Sequence, residues 1–489
     1  MLYKSFLDMF YKAVKVIFVS ALIFQAGIMV HAKVELPPIF ADNMVLQQQS
    51  EAAIWGKAEP NAKIIVTTTW SKKRTVVKSD SDGKWFTRIS TPVAGGPYEI
   101  TFNDGDKVTI RNILIGEVWI CSGQSNMAHR MKGNPGQPIK GAAELIVGAN
   151  PKTPIRSCNL ERVIHMEPQD ECPANWYEHT PEGVSQASAI AYFFARKLYE
   201  TLGVPVGVIN ASWGGTIIEA WMNPQLLKEE FGEELDLKYL LSKTWPEKGR
   251  KYVPGVIYNG MLHSLVPYTA KGFLWYQGCA NRKRPEQYRK LQPAFVRMLR
   301  QEWDNDKMPF YFAQIAPYQY NGPEETEGAF IRWSQAQTLA EIPYSGMATT
   351  LDVGELTCIH PANKKKVADR LAYLALTNDY GISCIDANAP MPKEFIFKDG
   401  AAYVSFHCGS MGVGPTNVEL KGFELAGEDK VFYPATAIVQ KDSKSVKVTS
   451  SEVPVPVAVR YGMRNWSEAT LFNNFGIPAS AFRSDDWQD

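Results

Sequence analysis

Four short segments of the chain combine residues able to do chemistry with glycines that let the backbone turn sharply. They are Ser122-Gly123-Gln124-Ser125-Asn126-Met127, then Ala211-Ser212-Trp213-Gly214-Gly215-Thr216, then Gln277-Gly278-Cys279-Ala280-Asn281, and last Asp352-Val353-Gly354 followed by His360-Pro361. A serine on a tight glycine-containing turn exposes its hydroxyl, as nucleophile elbows do. Paired glycines leave backbone N–H groups open to a developing oxyanion, and an asparagine amide supplies another donor, each worth on the order of 10²–10³ in rate. A histidine from a later segment can take the serine proton. Singly, each piece is weak: Gly-x-Ser turns occur by chance, Gly-Gly is more often a plain turn, and a lone histidine is more often a surface or core residue. Jointly they fit acyl transfer.

Each segment follows an apolar run of strand length. The expected strands are 115–121, 206–210, 272–276, 309–315 and 347–351, and amphipathic stretches at 185–202, 285–303 and 363–380 read as helices between them. Strands alternating with helices make a parallel α/β sheet, and such sheets bind ligands beyond the carboxyl ends of their strands. Four loops therefore converge on one crevice. Before this region, residues 36–113 are short β-rich runs broken by Pro60-Asn61, Asp82-Gly83 and Gly95-Gly96-Pro97, and residues 385–489 repeat that texture. The expected division is a β-sandwich at 33–112, a catalytic α/β domain at 113–384 and a β-rich region at 385–489. Residues 126–181, rich in Gly, Pro and polar types, read as long surface loops.

The N-terminus carries Lys4, Lys12 and Lys15, an apolar run from Val16 to Val30, and Val30-His31-Ala32. That is a signal-peptide layout with cleavage after Ala32, and the run is shorter than the roughly 20 residues of a membrane span. A secreted or periplasmic protein, free of the membrane after cleavage, is expected. A net charge of +1 argues against nucleic acid as a partner. Thirteen Trp, 21 Tyr and 23 Phe suit stacking on sugar rings and β-sandwich cores alike, so they decide nothing alone. The seven cysteines match no zinc spacing, and in an exported chain they permit disulfides; Cys158 with Cys172 is one candidate pair, and Cys121, ending a core strand, reads as a buried thiol. His129, His165 and His179 lie in the long loops with nothing to pair them for a metal, and His263 reads as a loop residue.

With these segments in view, the chain resembles the sialate O-acetylesterase family of SGNH hydrolases over nearly its whole length beyond the leader. Besides the segments above, Leu36-Pro37-Pro38-Ile39-Phe40 with Asp42-Asn43-Met44-Val45-Leu46-Gln47, Gly116-Glu117-Val118-Trp119, Glu219-Ala220-Trp221, Tyr258-Asn259-Gly260-Met261, Trp275-Tyr276-Gln277-Gly278, Asn363-Lys364, Val459-Arg460-Tyr461 and Phe482-Arg483 match in order. The resemblance implies a three-layer α/β SGNH-hydrolase domain with a five-stranded parallel sheet, flanked by β-rich modules. It implies Ser125 as nucleophile and His360 as base, with the Ser125 amide, Gly214, Gly215 and Asn281 as oxyanion donors. Gln124, Trp213, Gln277 and Arg332 are assigned to substrate contact. No metal or organic cofactor is implied.

Two departures from the family pattern stand out. Cys358 occupies the acid position two residues before the histidine, and Cys279 occupies the glutamate position after Gln277-Gly278. Three readings follow: Asp352 or Glu355 reaches His360 instead; a Ser-His dyad works more slowly; or Cys279 and Cys358 form a disulfide and the fold is a degenerate carbohydrate-binding protein. Buried thiols acting as small hydrophobes are the plainer account of both cysteines. The expectation is a working O-acetylesterase acting on an acetylated carbohydrate, with Asp352 as the third catalytic residue, because Ser125, His360, Asn281 and both glycines remain. An esterase for long apolar acyl chains fits less well, because the strand-end loops are polar and aromatic. The sequence leaves open which sugar and which oligomeric state.

Overall fold

The computed structural model describes residues 33–487, so the expected leader at residues 1–32 lies outside the described residues. One long strand, β1 (Lys107–Gly123), organises the fold. Its first half pairs antiparallel with Gly95–Asn103, and its middle pairs parallel with Val45–Gln47. From Ile113 onward every residue is buried, because the strand runs between covering layers on both faces, where parallel strands carry continuous apolar sequence. The expected division at residue 112 falls inside this strand.

Six strands extend the sheet: β2 (Ile155–Leu160), β3 (Ala174–Tyr177), β4 (Val206–Ser212), β5 (Gly272–Tyr276), β6 (Phe310–Ala313) and β7 (Ser345–Ala348). The order is β7-β6-β5-β1-β4-β2-β3, and every neighbouring pair is parallel except β2–β3 at the edge. The expected sheet of five parallel strands is therefore corrected to a larger mixed sheet, because β2 and β3 lie where only loops were expected. Polar residues hid β2 in the sequence, and the fold gives each a partner: buried Arg156 reaches Glu178 at 2.9 Å, and Asn159 Nδ2 donates to the Gln186 carbonyl at 3.1 Å.

The helices that matter here are α1 (Ser125–Ala128), α2 (Ala189–Leu202), α3 (Pro285–Glu302), α4 (Glu327–Gln337) and α5 (Lys364–Asp379). Ser188 caps α2 by accepting from Ala191 N, and Gly203 in the left-handed region ends it, the residue types those positions favour. Side chains alternate across the sheet with the period of two that strands impose. Phe273, Trp275, Phe310 and Phe312 pack with Ile120 beneath Leu291 and Phe295 of α3 and Ile331 of α4. Leu274, Tyr276, Tyr311 and Ala313 pack with Trp119 and Cys121 beneath Phe194 of α2 and Leu371 of α5. Three layers result.

Before β1, the ladder of Glu51–Lys57 with Lys84–Ser90 packs Ile54 and Trp85 against Ile64, Val66 and Phe102 of the strands leading into β1. After α5, a seven-stranded antiparallel sheet between Met391 and Arg483 has its own core around Val404, Leu425, Tyr461 and Phe482. All seven cysteines are free thiols. The Cys158–Cys172 and Cys279–Cys358 disulfides considered above are absent; the Cys172 thiol faces the carbonyl oxygens of Glu161 and Pro173 instead. No helix among the described residues is long and apolar enough to cross a membrane.

Glu117 ties these parts together. Its buried carboxylate accepts from Gln47 Nε2 at 3.2 Å, Gln48 Nε2 at 2.7 Å and the Tyr380 hydroxyl at 2.6 Å. Glu117→Ala strands those donors, and unsatisfied buried donors are costly. The variant is expected to lose about 2–4 kcal/mol and to unfold at a lower temperature in circular dichroism melts. An unchanged melting midpoint would contradict this role.

Candidate active site

The site is built where β1, β4 and β5 end and the chain beyond β7 folds back. β1 closes on Gly123, whose φ of +134° favours glycine and where an added Cβ would sit 2.3 Å from the Tyr276 carbonyl oxygen. The turn carries Ser125 to the start of α1, half-buried. Gly214 packs directly against it: a Cβ at Gly214 would meet the Ser125 Cβ at 3.3 Å and its backbone N at 3.9 Å. The β4 loop is pinned by Trp213 N donating to the Gly123 carbonyl at 3.0 Å and by Lys251 Nζ donating to the Gly214 carbonyl at 2.7 Å. Gly215 follows at φ +76°, exposed.

The strand-end glutamines and asparagine stitch the loops to one another. Gln124 Oε1 accepts from Gly278 N at 3.2 Å and Ala280 N at 3.4 Å. Gln277 Nε2 donates to the Thr216 carbonyl at 3.0 Å and to Asn281 Oδ1 at 2.8 Å. Asn281 Oδ1 also accepts from Ile218 N at 3.1 Å, and its Nδ2 donates to buried Glu219 at 2.9 Å, which Arg284 Nη1 pairs at 2.7 Å. One of the two N–H groups of the Asn281 amide is thereby committed to Glu219.

Three of the four residues expected to contact substrate are buried. Gln124 and Gln277 are buried; Gln124 Oε1 accepts from loop backbone and Gln277 Nε2 donates to it, while Gln277 Oε1 has no partner among the described residues. Arg332 is fully buried, donating through Nη2 to the carbonyls of Gly462 and Arg464. Backbone groups on buried turns demand partners, and these side chains supply them. Trp213 alone is partly exposed.

His360 is tied to the Ser125 turn through its neighbours. Asn126, next to Ser125, donates Nδ2 to the Ile359 carbonyl at 3.1 Å, and its Oδ1 accepts from Lys364 Nζ. The imidazole Nδ1 donates to Gln137 Oε1 at 3.0 Å, which leaves Nε2 as the basic nitrogen. His129 backs this arrangement: its ring meets His360 edge-on at 5.8 Å, and its Nε2 hydrogen-bonds the Gln137 carbonyl at 3.1 Å. Asp352 does not orient the histidine, a correction to the expected triad. Arg370 at the core of α5 takes both its oxygens at 2.7 Å, and Lys366 pairs with it as well. Burial works to raise the Asp352 pKa, but these cations together hold it below its ordinary value. Glu355 is likewise engaged, accepting from Ala362 N at 2.7 Å. The Cys358 thiol faces the His360 carbonyl at 3.3 Å, not its ring.

Sequence reasoning missed Gln137, His129 and the role of Lys364. Gln137 sits in a Gly/Pro-rich loop with no local signal. Lys364 is only 1% exposed, and burial pushes its pKa down to about 7 against the opposing pull of Cys358, Glu355 and Cys279. Burial and then the charge of Lys364 both lower the pKa of His360, so the imidazole stays neutral further into acid.

A positive neighbour disfavours imidazolium. Lys364→Met is therefore expected to raise the His360 midpoint in an NMR titration of its ring protons, while Asp352→Asn leaves it in place. A midpoint that moves with Asp352 and ignores Lys364 would overturn this account of the site.

Comparison with known proteins places the chain. Residues 115–372 match the sequence profile of the family described as "Carbohydrate esterase, sialic acid-specific acetylesterase". The human sialate O-acetylesterase is 30% identical over 391 residues, covering 72% of this chain and 72% of that protein. The mouse sialate O-acetylesterase is 29% identical over 414 residues, covering 73% and 75% respectively. The crystal structure of a carbohydrate acetylesterase from Xanthomonas citri superposes with a TM-score of 0.83 at 33% identity, covering 93% of this chain and all of that one. The chain belongs to the sialic acid-specific acetylesterase family of carbohydrate esterases.

Proposed function

We propose that this carbohydrate O-acetylesterase works through Ser125 and His360, with Gln137 in place of a triad acid. The observation that carries the reading is the close approach of the Gly214 backbone to Ser125, where an added Cβ would lie 3.3 Å from the Ser125 Cβ. His360, held by Gln137 with Nε2 free, supplies the base. Ser125 Oγ attacks the acetyl carbonyl as His360 Nε2 takes its proton. The oxyanion is met by the N–H groups of Ser125 and the Gly214-Gly215 turn and by the remaining N–H of Asn281. The proton passes to the sugar oxygen, the deacetylated sugar leaves, and water attacks the acetyl-serine with His360 again as base, releasing acetate.

An amide orienter fixes the tautomer, as in Cys-His-Asn centres, but brings no negative charge to the imidazolium formed during attack. The substrate is an O-acetylated sugar presented beside Trp213. A Cys279–Cys358 disulfide with no acid near His360 would have favoured the non-catalytic binding reading; no acid bonds the histidine, but both thiols are free. The SGNH description of the domain, the division at 113–384 and export directed by residues 1–32 belong to the same proposal.

The test is acetate release by the chain from Lys33 onward on 4-nitrophenyl acetate and O-acetylated sugars. Ser125→Ala and His360→Ala are each expected to lower kcat by at least about 10⁴-fold. The acid limb of kcat/KM is expected below the ordinary histidine pKa, because activity falls as His360 protonates and that midpoint is depressed. Gln137→Glu is expected to raise kcat and shift that limb to higher pH, since a carboxylate stabilises imidazolium. Full activity in Ser125→Ala would sink the mechanism; an unmoved limb in Gln137→Glu would sink the role of Gln137.

A further inference from the structure

A cleft of about 330 Å³ opens between the N-terminal β-rich region and the loops that follow β2 and precede β5, and it shares no residue with the Ser125 crevice. Its volume is at the low end for small-molecule sites. One wall is the ladder of Glu51–Lys57 with Lys84–Ser90. In its register Trp55 stands opposite Phe86 and Lys57 opposite Lys84, and the period of two puts all four side chains on one face. That face lies opposite Ile54 and Trp85; Trp55 packs half-buried against the core through Phe40, while Phe86 beside it is left 46% exposed to the cleft. Phe40 packs edge-on against Trp55 at 4.6 Å and holds its ring in place.

The rim is polar and ordered by ion pairs. Lys57 Nζ meets Glu171 at 2.9 Å and Lys84 Nζ meets Asp170 at 2.6 Å, while His263 closes the far side. A rigid aromatic face bordered by fixed donors and acceptors complements a pyranose ring, which has one flat C–H face and a belt of hydroxyls. The charge balance narrows the choice. Two lysines stand against the carboxylates of Asp80, Asp170 and Glu171, so no positive surplus is left to hold an acidic sugar.

We propose that this cleft is a second, non-catalytic carbohydrate site that takes a neutral hexopyranose or pentopyranose unit of a glycan against Trp55 and Phe86. It rests on the carbohydrate-esterase reading and adds to it a hold on the glycan chain away from the reacting ester. Anchoring at a second point raises the effective concentration of acetyl groups at Ser125 without changing the chemical step.

The experiment titrates cellohexaose, xylohexaose, mannohexaose and a sialylated oligosaccharide into the Ser125→Ala chain, followed by tryptophan fluorescence and saturation-transfer NMR. At least one neutral hexasaccharide is expected to bind, and Trp55→Phe and Phe86→Ala are expected to weaken it about tenfold or more. Phe86 is exposed, so its loss does not threaten the fold. In the Ser125-bearing chain the same substitutions should leave 4-nitrophenyl acetate turnover unchanged and raise KM, not kcat, on an acetylated polysaccharide. Binding to no neutral oligosaccharide, equal binding by the aromatic variants, or preference for the sialylated ligand would each overturn the proposal. Failure of the esterase reading would show separately, as acetate release that is absent or independent of Ser125.

Discussion

The side chain of Asn126 joins two parts of the chain that sequence separates by 233 residues. One end of its amide donates to the Ile359 carbonyl, and the other accepts from the buried ammonium of Lys364. Buried polar groups hold their partners because losing one leaves the other unsatisfied at a cost of about 1–3 kcal/mol. Ser125 precedes this residue and His360 follows Ile359, so the same bonds that satisfy Asn126 set the nucleophile turn against the histidine loop. The glutamine amides at the ends of β1 and β5 do the corresponding work for the other loops. What surrounds Ser125 is a frame of buried amides hydrogen-bonded from loop to loop.

Electrostatically the centre is unusual for a serine esterase. Acid support is absent: Asp352 is spent on Arg370 and Lys366, Glu355 on a backbone N–H, and Cys279 and Cys358 carry thiols. A cation sits there instead. Lys364, with its pKa pushed down to about 7, favours neutral imidazole while it is protonated. A neutral base is what attack requires, but imidazolium must form in the transition state, and a nearby ammonium opposes it.

The strands that end at Gly123, Ser212 and Tyr276 were legible because each is a largely apolar run followed by a glycine turn, and both signals are local. β2 was not, because Arg156 and Asn159 interrupt its apolar pattern and only the folded chain reveals Glu178 and Gln186 as their partners. At the site, the approach of the Ser125 turn to the His360 loop could be read from residue type and position. Asp352 misled because an acid at a strand end looks free to reach a histidine, whereas Arg370 two turns into α5 claims it. Gln124, Gln277 and Arg332 misled in a related way: polar side chains at strand ends suggest ligand contact, but buried turns need them to satisfy backbone. Gln137 gave no signal, since nothing in Gly133-Asn134-Pro135-Gly136-Gln137-Pro138 points toward a residue more than two hundred positions away.

The central claim is that a serine held in this amide frame is nucleophilic without an acid behind its histidine. Covalent capture tests it most directly: incubation with a fluorophosphonate, followed by intact-mass and peptide mass spectrometry. The account predicts a single adduct on Ser125, formed faster as pH rises through the His360 midpoint and lost in His360→Ala. No adduct at Ser125, in a preparation that releases acetate from O-acetylated sugar, would contradict it.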